Sequence, residues 1–115
     1  MKKDRLDKMF KIQTKFNSKF VNINNLSEKQ LVNITKDTVL ALHREVDEIL
    51  DCFPWKTHKK YKHFVLNKTN VIEETVDVLK YLLNICHIWK INSNDMFRMF
   101  EIKSKNVEER LNKGL

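Results

Sequence analysis

The stretch NVIEETVDVLKYLLNICHIWK, residues 70–90, decides the fold. Val71, Ile72, Val76, Val78, Leu79, Tyr81, Leu82, Leu83, Ile85, Cys86 and Trp89 recur at helical spacing and cover most of the circumference. A helix that is apolar nearly all round belongs at the centre of a bundle or in a subunit interface. Asn70 and Glu73 have capping-box spacing, which predicts its start there, with its end near Lys90. One residue breaks the pattern. At 100° per residue Glu74 falls between Tyr81 and Ile85, inside the apolar sector, with Asp77 beside it. A carboxylate in that position faces a desolvation penalty unless it is paired or holds a cation.

Three more helices surround this one. Leu6, Met9, Phe10, Ile12, Phe16 and Phe20 form a wide apolar stripe that predicts a helix over roughly 3–20. Ser27 and Gln30 form a second capping box, and the helix they open runs to about Phe53, where Pro54 stops it. Residues 55–68 read as a basic connector, and INSND at 91–95 as a turn with Ser93 or Asn94 as cap before a last helix over about 95–112. A single Gly and a single Pro in 115 residues leave little material for tight turns. The expected class is therefore all-α, a four-helix bundle in a single domain spanning 1–115.

Composition narrows the function. With 42% hydrophobic and 32% charged residues the chain is neither disordered nor membrane-spanning, and no apolar run reaches the roughly 20 residues a bilayer requires. MKKDRLDKMF has the charge of a signal peptide but no apolar block behind it, so a cytoplasmic location is expected. Cys52 and Cys86 lack metal-type spacing and fall on apolar faces, as reduced thiols would. His43, His58, His63 and His87 share no ligand spacing. The net charge of +7 is spread along the chain, with KTHKKYKH at 56–63 as its dense cluster. That suits a polyanionic partner, but no recognition helix with clustered Arg, Asn or Gln is evident, and nucleic acid is not the expected ligand.

HREVDEIL, residues 43–50, answers the intruding acids. Glu45 and Glu48 sit at i and i+3, so they project together along the flank of the stripe formed by Leu42, Val46, Ile49 and Phe53. Taken alone, such a pair is an ordinary solvated flank or a salt bridge, with Arg44, Lys80 and Arg98 as available partners. Two pairs on adjacent antiparallel helices, with no interleaved base inside either, would repel each other unless a hard divalent cation joined them. All-oxygen ligands select Mg²⁺, with Mn²⁺ as a substitute, over zinc.

At this point the chain resembles a known family. ExxE followed by ExxD is similar to the all-α nucleoside triphosphate pyrophosphohydrolases, which include the MazG-like enzymes, the dimeric dUTPases and phage dCTPases. EVDEILDCFPWKTHKK looks like the dimeric dUTPase stretch in which two glutamates precede a Trp-Lys pair, here Trp55 and Lys56. MFKIQTKFN is similar to that family's first helix, matching at Gln13 and Asn17, and FEIKSKNVEERLNKG to its C-terminal motif. The resemblance implies a dUTP diphosphatase with a bundle completed by oligomerisation into a homodimer or homotetramer. It implies that Glu45, Glu48, Glu74 and Asp77 hold Mg²⁺ and that Glu48 also serves the attacking water. Lys56, Lys59, Lys103, Asn106 and Arg110 would bind phosphates, Trp55 would stack on or wall the base, and Gln13 and Asn17 would hydrogen-bond a pyrimidine edge or the sugar. His58 stands where the family has a second aromatic, Leu111 and Leu115 replace a Gln and an aromatic, and the C-terminal Asn comes one position early. Base specificity is thus open, with MazG-like or dCTPase activity as the alternative within the class, and a basic nucleic-acid-binding bundle as the alternative outside it.

Overall fold

The computed structural model describes residues 4–58, 60 and 63–114. It is all-α, with four helices and no strand among those residues: α1 (Arg5–Ser18), α2 (Glu28–Leu50), α3 (Lys68–Ile88) and α4 (Ser93–Asn112), with a single 3₁₀ turn at Ile23–Asn25. None of these helices is long and apolar enough to cross a membrane.

Short polar side chains set the helix starts. Asp4 caps α1 by accepting from the Asp7 amide, and Ser27 and Gln30 close the reciprocal capping box expected for α2. The other two starts lie earlier than their spacing suggests. α3 is capped by Asn67, whose Oδ1 accepts from the Asn70 amide, so it begins one turn before the expected Asn70 cap. α4 is capped by Asn92 in a capping box with Asp95 instead of by Ser93 or Asn94. Each stretch offers more than one candidate cap, and the one used gives the helix its longest hydrogen-bonded run. Lys90, at φ 55°, takes the left-handed conformation that turns the chain out of α3, and the Ile91 amide bonds back to the Cys86 carbonyl.

α3 is the centre, packing antiparallel along α2 and against α1. It carries Leu83, Cys86 and Ile88, the three buried apolar residues among those described. Trp89 Nε1 donates to Thr35 Oγ1 at 2.8 Å and ties the end of α3 to the first half of α2. The opposite end of the same pair brings the last turns of α2 beside the first turns of α3. α4 meets the rest chiefly through α1, where the Ser93 hydroxyl donates to the Asp7 carboxylate. The chain is consequently open, with a radius of gyration of 18.1 Å where a compact domain of this length has about 13 Å. Ile12 and Phe16 of α1, Phe20 just beyond it, and Phe97, Phe100 and Leu111 of α4 all lie exposed.

Candidate active site

The antiparallel pairing of α2 and α3 brings the end of one beside the beginning of the other, and this places the acids. Glu45, Glu48, Glu74 and Asp77 can each offer one oxygen such that all four lie within 4.8 Å of one another. The two glutamates of α2 and Glu74 are half-buried, while Asp77 is exposed. Glu74 Oε2 is fully buried and accepts no hydrogen bond from the described residues.

The electrostatics follow from that crowding. Glu74 is raised above its ordinary carboxyl pKa first by a hydrogen bond shared with Glu48, then by burial, then by the charges of Glu48, Asp77 and Glu45. Glu45 is raised mainly by burial and next by the charge of Glu48, with Arg44 as a weaker opposing influence. No cation among the described residues offsets the rise at Glu74. Cys52, at the end of α2, is also raised, by burial and then by the charges of Glu74 and Asp51. Among the described residues, the salt bridge that would explain the acids blandly is therefore missing from Glu74. A buried carboxylate oxygen without a donor, among three more carboxylates, fits a hard divalent cation, whose oxygen ligands stand about 2.1–2.5 Å from it. These four residues could hold one.

This arrangement is found by charge and not by concavity. A groove of about 1050 Å³ lies between α1 and the α3–α4 junction and includes none of the four acids. His87 lines it, with its Nε2 buried and unpartnered, and burial pushes its pKa down.

Trp55 and Lys56 follow α2 directly, on the side where the acids gather. The Trp55 indole donates to Asp51 at 3.3 Å, and Lys56 Nζ stands 5.5 Å from the centre of the Trp55 ring in a cation–π contact. Lys59 lies outside the described residues. Gln13 and Asn17 of α1 are drawn to α3 by Asn84, a residue not singled out by spacing. Gln13 Nε2 donates to Asn84 Oδ1 at 2.7 Å and Asn17 Nδ2 to the same oxygen at 2.8 Å. A signal existed: Asn84 lies seven residues after Asp77, two turns along the same face of α3. Lys103, Asn106 and Arg110 share one exposed face of α4, and α4 packs chiefly on α1.

Residues 5–113 match the family model described as dUTPase. The chain belongs to the dUTPase family. No curated protein and no solved structure matches it significantly. Membership supports a hydrolase of nucleoside triphosphates, of the dUTP diphosphatase type in general. The family generally uses a divalent metal, and the acidic cluster is where this dUTPase-family chain could bind one.

Proposed function

We propose that the chain is an Mg²⁺-dependent dUTP diphosphatase, cleaving dUTP to dUMP and pyrophosphate, with Mn²⁺ as a possible substitute. One observation carries this beyond family membership: four carboxylates from two helices converge, and among the described residues the buried Oε2 of Glu74 has no donor and its charge no compensating cation. A bundle with a purely structural role gains nothing from that repulsion.

Glu45, Glu48, Glu74 and Asp77 would hold the metal, which when bound neutralises phosphate charge and lowers the pKa of a water. Glu48 has the second task of orienting that water and taking its proton. The water oxygen bonds to the α-phosphorus, the α–β bridging bond breaks, and its electron pair leaves with pyrophosphate. Lys56 and Lys59 would bind the β and γ phosphates, Trp55 would wall the base, and Gln13 and Asn17 would read its edge. Lys103, Asn106 and Arg110 supply further phosphate contacts from the face of α4 they share. The exposed apolar faces of α1 and α4 and the thin core support a homodimer or homotetramer as the working form.

Pyrophosphate release from each of the four common dNTPs and dUTP, with millimolar Mg²⁺, tests the reaction. Turnover of dUTP that Glu74→Gln abolishes, while the variant keeps its helical content and stays folded at the assay temperature, is the expected result. No turnover of any of them by the folded protein would overturn it.

A further inference from the structure

Gln13, Asn17 and Asn84 form a closed set of side-chain amides bridging α1 and α3. Besides the two bonds to Asn84 Oδ1, Gln13 Nε2 donates weakly to Asn17 Oδ1 at 3.4 Å. Gln13 is only 7% exposed, the most buried polar side chain described, and its two partners are half-buried. A primary amide has one acceptor end and one donor end. With the donor ends of Gln13 and Asn17 both committed to a single oxygen, Gln13 keeps Oε1, an acceptor, and Asn17 keeps the second Nδ2 hydrogen, a donor, while Asn84 Nδ2 keeps both of its hydrogens. None of these has a partner among the described residues.

An acceptor beside a donor complements the N3–H and adjacent carbonyl of uracil. Cytosine presents the reverse order, an N3 acceptor beside an amino donor. One other arrangement of the set keeps its bonds: reversal of all three amides together, which inverts the leftover pattern to suit cytosine. Whatever fixes Asn84 therefore fixes the other two. Asn84 also lies on the same face of α3 as Glu74 and Asp77, about 10 Å beyond Asp77 along the axis. A triphosphate held at the acids has room for a deoxyribose before the base reaches the amides.

We propose that Asn84 is a positioning residue for base recognition: by accepting from both Gln13 and Asn17 it sets which of their ends meet the base, and so selects uracil over cytosine. This role rests on the proposed diphosphatase reaction.

The test is kcat/KM for dUTP and for dCTP, with Mg²⁺, in the wild type, Asn84→Asp and Asn84→Leu. An aspartate carboxylate only accepts, so it supports the observed arrangement and excludes the reversed one. Asn84→Asp should keep the dUTP:dCTP ratio or raise it. Asn84→Leu removes the shared acceptor and should lower the ratio at least about tenfold, through a higher KM for dUTP with kcat changed less. If Asn84→Leu melts below the assay temperature, Asn84→Ala gives the same readout. A merely structural asparagine would slow both substrates equally and leave the ratio alone, which overturns the role. So does a wild-type preference for dCTP, or an Asn84→Asp ratio that falls as far as that of Asn84→Leu. Absence of any wild-type dNTP turnover removes the reaction and this role together, whereas dUTP turnover with an unchanged Asn84→Leu ratio removes the role alone.

Discussion

Replacing Glu74 by Gln should have opposite effects on stability with and without magnesium. In the metal-free protein Glu74 is crowded by Glu48, Asp77 and Glu45 and relieved by no cation, so a neutral amide of the same shape removes repulsion. The metal-free variant should melt higher than the metal-free wild type. With magnesium the order reverses. Binding to the folded state alone stabilises it by RT ln(1 + [L]/Kd), about 2.7 kcal/mol at a hundredfold excess over Kd. At roughly 4 °C per kcal/mol for a chain of this length, the wild-type midpoint should rise by about 10 °C. The variant keeps three of the four carboxylates and should gain less than half of that. The assay is thermal melting by circular dichroism at pH 7, in EDTA and across a magnesium titration, at one protein concentration. Equal magnesium shifts in the two proteins, or a variant that melts lower in EDTA, would refute the carboxylate cage.

Metal-free stability should depend on pH in two opposed ways. Glu74 and Glu45 start from 4.5 and are raised on folding, so the folded chain retains protons the unfolded chain has lost, and stability falls as pH rises above 4.5 through their raised values. Saturating magnesium should flatten that slope, which urea midpoints across pH 4–8 would show. His87 is lowered from 6.5 by burial, so stability is also lost as pH falls below 6.5, and His87→Gln should remove that limb. Leu83, 6% exposed in the second half of α3, should cost about 2–5 kcal/mol when cut to Ala, measured by urea unfolding. Ser27→Ala, which breaks the α2 capping box, should cost about 1 kcal/mol in the same assay. Lys56→Ala should raise KM for the triphosphate severalfold while leaving the magnesium shift in melting intact, read by steady-state kinetics beside the melts.

The sequence by itself determined what repeats locally. Apolar periodicity around Leu83 and Cys86 makes α3 the central helix, Ser27 with Gln30 starts α2, and the i, i+3 spacing puts each acid pair on one face. These follow from covalent neighbours a turn apart, whose geometry a helix fixes whatever surrounds it. Choices among near-equal neighbours were less legible, as at Asn67 against Asn70 and Asn92 against Ser93, because the caps differ by little and the preceding chain path decides between them. Only the tertiary structure decided that the two acid pairs meet, since that depends on the antiparallel register of α2 on α3. It alone joined Asn84 to Gln13 and Asn17 across 71 and 67 residues. It also set the phosphate-binding candidates of α4 on a helix that packs on α1. Contacts of this kind carry no periodic signature, because burial and charge at a site are summed over everything the fold brings to it.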